Sequence, residues 1–175
     1  PARTREVLMS SACMGNSSKI EDISFIMGIS IDEILIELIR TANEGFAFIA
    51  DDAFVFLHDR IQKAAYSLVP SDKKAALHYK IGRLYLDKFT SKNDRDKQLF
   101  SITDQLDQGS DLIENDSERE ELVRLNLEAG IKAKDSAAYN QSFHYLKTGI
   151  DMLPGDSWKS RYDLTLDLYT ESVEV

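Results

Sequence analysis

Apolar residues in the first part of the chain recur at helical spacing, bounded by polar starts and stops. The clearest stripe steps by three or four residues and consists of Ile31, Ile34, Leu35, Leu38, Ile39 and Ala42. This spacing predicts one buried face on a helix. Ser30 with Glu33 predicts a capping box at its start, and Gly45 predicts its end.

Two earlier helices are predicted across residues 3–14 and 20–27 from the same kind of periodicity. Ser18 with Glu21 matches a second capping box at the start of the shorter one. In such a box the hydroxyl and the carboxylate satisfy backbone amides that have no partner within the helix.

The period then changes from helical to alternating. Apolar runs 46–49 and 54–56 flank the two aspartates 51–52, which predicts two short strands joined by a two-residue turn. A further helix, carrying Ile61, Ala64, Ala65 and Leu68, is predicted to end before Pro70. Three helices, a hairpin and a helix in this order are typical of a winged-helix unit. Residues 1–69 are therefore predicted to form a winged-helix-like unit with a short β-hairpin.

From Ser71 onward the pattern is helical throughout, with about five helices separated by short polar breaks. The first two carry Leu77, Ile81, Leu84 and Tyr85, and Leu99, Ile102, Leu106 and Ile113. Ser117 with Glu120 predicts the start of the third. The last two carry the stripes Tyr139, Phe143, Leu146, Ile150 and Leu153, and Trp158, Tyr162 and Tyr169. Tyr145 lies off its stripe and is expected to be exposed.

Small residues in this part have the spacing of a helical repeat. If Pro154 is the closing proline of a 34-residue tetratricopeptide repeat, Gly130, Ser142 and Gly149 fall at its small positions. Small residues there let paired helices approach closely. The predicted fold is mainly α, with residues 71–175 forming antiparallel helical hairpins of the tetratricopeptide-like type.

Amino-acid composition and net charge limit the kinds of partner that the chain is expected to bind. The 175 residues include 43% hydrophobic residues, enough for real cores, and the formal net charge is −9 with a pI near 4.8. Such a charge repels nucleic acids and anionic membranes, so neither is expected as a partner. No apolar run approaches the roughly 20 residues of a membrane span, and no signal segment opens the chain.

The single cysteine, Cys13, is expected to be a small buried residue in a reducing, cytoplasmic compartment. The chain begins at Pro1 without a methionine and stops inside a predicted helix at Val175, so we expect a piece of a longer protein. Phosphate-loop, dinucleotide, nucleophile-elbow and metal-spacing motifs are all missing. No catalytic residue and no metal ligand is therefore predicted, and the chain itself is not expected to be an enzyme.

His58, between an apolar run and a predicted helix, is the one candidate for a specific chemical role. In one interpretation Asp59 caps the helix and His58 bonds a neighbouring loop. In the other, His58 and the free amides of the helix start face the phosphates of a nucleotide held by a preceding domain.

The segment FVFLHDRIQKAAYSLV resembles the winged-helix part of signal-transduction ATPases with numerous domains, in which the histidine of a Met-His-Asp motif reports bound ADP. Leu57, His58 and Asp59 occupy that place here, with leucine for methionine. This segment and three others resemble one bacterial, notably cyanobacterial, family. The others are LHYKIGRLYL, LNLEAGIKAKDSAAYNQSFHYLKTGIDMLP and SWKSRYDLTLDLYTESVE. Members of this family fuse a serine/threonine kinase, an ATPase module, a GAF sensor and a histidine kinase.

This resemblance implies a regulatory and scaffolding segment of a signalling kinase. ATP or ADP would be bound by the parent protein and not by this chain, in which only His58 maps onto a proposed nucleotide contact. The implied partners are the neighbouring ATPase and sensor or kinase domains and other proteins. Exchange of ADP for ATP would release His58 and let the helical repeats turn.

Two alternatives remain open at this point. The first is a winged-helix DNA-binding transcription regulator with a helical effector domain. Its reading helix, 30–44, carries one arginine against four carboxylates, which opposes docking on phosphates. The second is a small-molecule sensor with a pocket lined by Tyr139, Phe143, Tyr145, Trp158 and Tyr162.

Overall fold

The computed structural model describes residues 2–175. They form a mainly α-helical structure with one small three-stranded antiparallel sheet. The chain divides into two compact units, the first extending to Leu84 and the second covering Tyr85–Val175. The division falls inside a long helix, whereas Pro70, where the sequence places the boundary, precedes that helix.

The first unit contains the sheet and most of the short helices. In chain order its elements are α1 (Ala2–Met14), β1 (Ser17–Lys19), α2 (Ile20–Met27), α3 (Ile31–Asn43), β2 (Ala47–Ala50), β3 (Ala53–Phe56), α4 (Asp59–Ser67) and the first part of α5 (Ser71–Lys88). The strand order is β1-β3-β2, so the last strand lies between the other two. Phe54 of β3 is paired with Ser18 on one side and Ile49 on the other.

The predicted hairpin is confirmed. Its strands β2 and β3 are joined by Asp51 and Asp52, and Asp51 supplies the left-handed backbone, with φ 53°, that glycine more often provides. The third strand, β1, was not predicted. It is only three residues long and shows no apolar alternation, so it depends on pairing with β3 and leaves no periodic signal.

The two predicted capping boxes of this unit have different outcomes. At α3 the box is confirmed, because the Ser30 hydroxyl accepts from the amide of Glu33 while the Glu33 carboxylate accepts from the amide of Ser30. At α2 it is wrong. Ser18 lies in β1, is buried, and donates to the carbonyl of Ser11 at 3.3 Å. Pairing of β1 with β3 takes precedence over capping at this position.

The buried face of α3 also differs from the predicted stripe. Its buried residues are Ile34, Glu37, Leu38 and Thr41, while Ile31 and Ile39 are about half exposed. Glu37 lies on the packed face because its carboxylate accepts hydrogen bonds from Thr4 of α1 and from Arg40. A buried polar contact therefore rotates the helix away from its most apolar face.

The second unit consists of helices. They are the end of α5, α6 (Lys92–Gln108), a 3₁₀ turn (Ser110–Leu112), α7 (Asp116–Asp135), α8 (Tyr139–Asp151), α9 (Ser157–Ser160) and α10 (Tyr162–Val173). The helix α10 packs on both α7 and α8. A core cluster forms where they meet, made of Val123, Leu146, Leu164 and Leu168.

The helices α7 and α8 run antiparallel and approach closely at small residues. The hydroxyl of Ser142 donates to the carbonyl of Gly130 at 2.7 Å. A Cβ added at Gly130 would lie 2.6 Å from Cγ of Leu146, and one at Gly149 would lie 3.2 Å from Cβ of Asn126 on α7. The predicted close approach at these residues is confirmed, while their assignment to a particular repeat family stays a prediction.

Two predictions about the second unit are wrong. The N-cap of α7 is Asn115, whose side-chain oxygen accepts from the amide of Ser117 at 2.7 Å, so the helix begins before the predicted pair. On α8, Tyr145 is fully buried, whereas Tyr139 and Phe143 are about half exposed. The α8 face that packs on α7 contains small residues, which is why the aromatic stripe does not mark it.

Gly130→Ala is expected to destabilise the chain by about 1–3 kcal/mol, because Leu146 is fully buried and cannot move away from the added methyl. This loss outweighs the gain of up to about 1 kcal/mol in helix propensity. Urea unfolding measures the effect. Gly155→Ala is the matched control, since nothing lies within 4 Å of its added Cβ. Equal midpoints for the two variants would contradict the packing argument.

Candidate functional site

His58 lies in the short connection between β3 and α4 of the first unit. It is the N-cap residue, with extended backbone at φ −147° and ψ 144°, and its carbonyl accepts from the amide of Ile61 at 2.9 Å. The preceding residue is fixed as well, because the amide of Leu57 donates to the carbonyl of Phe46 at 3.0 Å. Strand pairing and the helix start therefore set the position of the His58 backbone.

The side chains at this junction are exposed and line an open hollow. Its lining is made of Asn16, Leu57, His58, Asp59 and Arg60. Within residues 2–175 the His58 ring makes no hydrogen bond, and the helix start has no side-chain cap. The structural interpretation, in which Asp59 caps α4 and His58 bonds a loop, is therefore not observed. The imidazole and the first amides of α4 remain accessible to a ligand.

The α3 surface of the same unit is occupied by ion pairs. Arg40 donates to both carboxylate oxygens of Glu37, at 3.0 and 3.1 Å, and Arg3 donates to Glu33 at 2.9 Å. The hydrogen bond from Thr4 is the main cause that lowers the pKa of Glu37. The one arginine on α3 is thus neutralised within the unit, which opposes phosphate binding by this helix.

A polar cluster around the buried Tyr145, which the sequence did not reveal, joins α6 to α8 in the second unit. The hydroxyl of Tyr145 donates to Oδ1 of Asp104 at 2.7 Å and accepts from the side-chain amide of Gln141 at 3.2 Å. Burial and the bond to Asp104 raise the pKa of Tyr145. Its ring also stacks on Phe100, with centroids 5.7 Å apart. Tyr145 is therefore part of the core packing.

The same side of α6 contacts α7 through Asp107. Its Oδ1 accepts from Nδ2 of Asn126 at 2.7 Å, and Nδ2 also donates to the carbonyl of Leu122 at 3.2 Å. Burial raises the pKa of Asp107 to about 6, with Asp104 adding to the effect and His144 opposing it. The sequence did contain one signal for this cluster. Asp104 and Asp107 are three residues apart on α6 and therefore share a face of the helix.

The remaining candidates do not converge on one site. Trp158 forms ring contacts with Tyr162 and Tyr169 at centroid distances of 6.1 and 5.3 Å, and all three are partly exposed. Tyr145 is in the core, so these aromatic residues do not share one pocket. Cys13 is buried, as predicted, and burial raises its pKa to about 11.

The described part of the chain contains neither a cluster of metal ligands nor a helix suited to cross a membrane. Among residues 2–175, no group of three or more histidine, cysteine, aspartate or glutamate side chains has an arrangement that could hold a metal ion. No helix in the same range combines the length and the apolar character that crossing a membrane requires.

Tyr145→Phe is expected to lower the free energy of unfolding by about 1 kcal/mol, because it removes a partly buried hydrogen bond to a carboxylate. The exposed Tyr139→Phe serves as the control and is expected to change it by less than about 0.5 kcal/mol. Chemical denaturation of both variants checks the difference. Identical stabilities would show that the Asp104 contact contributes nothing.

The raised pKa of Asp107 predicts that the stability of the fold depends on pH. The folded state holds this proton more tightly than the unfolded chain, whose pKa is 3.8, so the free energy of unfolding falls as pH rises from 3.8 to about 6. In Asp107→Asn, which keeps an acceptor for Asn126, we expect that fall to be smaller by about 1–3 kcal/mol. The exposed Asp135→Asn is the control. Parallel pH profiles for all three proteins would contradict this assignment.

The comparisons with known proteins give one partial similarity. The chain is 32% identical to hybrid signal transduction histidine kinase G of Dictyostelium discoideum over an alignment of 139 positions, which covers 66% of this chain. The chain spans 4% of the length of that kinase. No protein-family model matches the chain, and no solved structure matches it. The chain is thus similar to a small segment of a signal-transduction kinase.

Proposed function

We propose that the chain is a non-catalytic regulatory and scaffolding segment of a multidomain signal-transduction kinase. It would couple the nucleotide state of an upstream ATPase module to downstream sensor or kinase domains. The similarity to a segment of a hybrid histidine kinase supports the signalling context. The observation that carries the finer proposal is the exposed, unbonded ring of His58 at the start of α4.

The element order of the first unit supports a winged-helix assignment. Its elements follow as α1-β1-α2-α3-β2-β3, and β1 pairs with β3 to complete a three-stranded sheet beside the hairpin. In this proposal His58 follows the last strand of the wing directly. The antiparallel α7 and α8, with their small contact residues, support degenerate tetratricopeptide-like hairpins in the second unit.

The proposed mechanism uses the accessible groups of the junction. With ADP bound to the ATPase module, the His58 ring and the first amides of α4 would face its phosphates and hold the first unit against that module. One hydrogen bond to a charged group is worth about 1.5–3 kcal/mol. Exchange for ATP would move the phosphates out of reach and release the unit. ATP or ADP therefore belongs to the parent protein in this proposal.

The second unit would transmit the movement as one packed body. Lys134 near the end of α7 binds Glu171 of α10 and Glu174, the residue that caps α10, and Tyr145 of α8 binds Asp104 of α6. These contacts join helices that are not consecutive in the chain. The neighbouring ATPase, sensor and kinase domains would be the partners, in the cytoplasm, and other proteins would bind to the exposed helices.

The alternative, a DNA-binding regulator, has less support. Its reading helix would be α3, in which Arg40 is held by Glu37 and Asp32 and Glu33 lie in the first turn. This surface offers phosphates no free cation on the helix itself. Salt-dependent binding of this chain to duplex DNA would favour the alternative over the signalling proposal.

His58→Ala in the full-length polypeptide is expected to weaken ADP binding by roughly 10- to 100-fold, the equivalent of one charge-assisted hydrogen bond. Kinase output is expected to change in the same variant, because the ADP-bound arrangement is no longer held. Nucleotide titration and phosphorylation assays measure the two effects. His144→Ala, which alters an exposed histidine of the second unit, is the matched control.

The outcome that would contradict the proposal is specific. If His58→Ala leaves both ADP affinity and kinase output equal to those of His144→Ala, the ring has no part in nucleotide sensing. A change in thermal stability alone would also count against a sensing role, since it would indicate a local structural contribution.

A further inference from the structure

Two adjoining hollows in the second unit form one continuous groove. The first is a cavity of about 230 Å³ between the start of α7, the end of α8, α9 and α10. The second is more open and extends towards the 3₁₀ turn after α6. They share five lining residues, namely Asp116, Arg119, Met152, Leu153 and Pro154. We name the combined feature the α7–α9 groove.

The deeper end of the α7–α9 groove is small, and its lining combines an apolar floor with charged and polar side chains. Val123 and Leu164, both from the buried core cluster, reach its lining, and Met152 and Leu153 pack against the same cluster. The volume of about 230 Å³ lies below the roughly 300–1,000 Å³ of pockets that enclose whole small molecules. The cavity therefore suits a single large apolar side chain whose backbone lies in the open part of the groove.

The rim of the α7–α9 groove carries an excess of free negative charge. Asp111, Asp116 and Asp156 have no cation within ion-pair distance among residues 2–175. The one unpaired positive charge on the described part of the rim is that of Arg119. Its guanidinium donates to the carbonyl of Ile113 at 2.7 Å and has no carboxylate partner within residues 2–175. Cationic groups of a ligand would thus find unpaired carboxylates among the lining residues of the groove.

The other charges of the rim are already paired. Glu120 binds Arg124 at 2.8 Å and also binds Arg161, and Asp151 binds Lys147 at 2.6 Å. Because Glu120 has two arginine partners, these groups together carry one surplus positive charge. With Arg119 they offset part of the charge of the three unpaired aspartates, and the groove keeps a net negative charge. An anionic ligand, such as a nucleic acid or an acidic lipid surface, would be repelled.

We propose that the α7–α9 groove binds a peptide segment of a partner protein, with a large apolar side chain in the cavity and lysine or arginine on both sides of it. The apolar anchor would bury against Val123 and Leu164, and the flanking cations would face the free aspartates. Such an anchor with a charged surround is the usual arrangement of a small interface. This inference does not depend on a role for His58.

Fluorescence anisotropy with the intact 175-residue chain tests the proposal. The probe is a short fluorescein-labelled peptide with a central phenylalanine flanked by lysines. Two control peptides replace the lysines by glutamates, or the phenylalanine by serine. The lysine peptide is expected to bind at least tenfold more tightly than either control. Its affinity is expected to fall as salt rises, because the flanking contacts are exposed ion pairs.

Matched variants locate the binding. Removing two rim charges in Asp116→Asn with Asp156→Asn is expected to weaken the lysine peptide about three- to tenfold, since exposed ion pairs are individually weak. Ser160→Trp, which places a large ring at the cavity lining, is expected to abolish binding. Asp135→Asn at the opposite end of α7 is the control and leaves affinity unchanged. Circular dichroism confirms that each variant is folded.

Several results would overturn the proposal. The glutamate peptide could bind as tightly as the lysine peptide, or the folded rim and cavity variants could keep full affinity. Binding of free phenylalanine with the affinity of the whole peptide would indicate a small-molecule site. Sedimentation that shows the chain dimerising, with dimerisation lost in Ser160→Trp, would assign the groove to a second copy.

Discussion

Carboxylates on packed helix faces, each bound by a donor from another helix, fix the arrangement of both units. Glu37 of α3 accepts from Thr4 of α1, and Asp104 of α6 accepts from Tyr145 of α8. Glu37 is buried, so loss of its donor would leave an unsatisfied polar group and destabilise the fold. Asp104 is exposed, and there the buried partner is the Tyr145 side chain. Because the donor and the acceptor must meet, these pairs set the rotation of each helix. Apolar packing then fills the space around them.

This constraint explains which features the sequence could predict. The hairpin, the Ser30 box and the stop at Gly45 depend on residues close together in the chain, and all three are confirmed. The burial of Leu99, Ile102 and Leu106 follows from their helical spacing, although Thr103 and Gln105 of the same helix are buried as well. Features that depend on neighbouring residues or on regular apolar spacing can therefore be predicted from a single sequence.

The errors arise where a partner distant in sequence decides the outcome. The strand β1 depends on β3, which lies more than thirty residues further along the chain, so Ser18 was assigned to a helix cap. On α8 the larger aromatic residues suggested one face, yet the face that packs contains Ser142, Tyr145 and Gly149. The helix α7 contacts this face at Gly130, so no local pattern within α8 indicates which of its faces packs. The candidate role of His58 rests on its motif and stays a prediction, to which the structure adds that the residue is exposed.

The net charge of −9 is compatible with the two proposed surfaces because charge acts locally in salt. At physiological ionic strength interactions are screened beyond about 8 Å, so distant carboxylates add little at either surface. At the His58 hollow, Arg60 offsets Asp59, and the amides of α4 add partial positive charge. In the α7–α9 groove the unpaired aspartates outnumber the one free arginine. An acidic chain can therefore present a phosphate-compatible hollow on one unit and a cation-attracting groove on the other, because neighbouring side chains, and not the overall charge, set each potential.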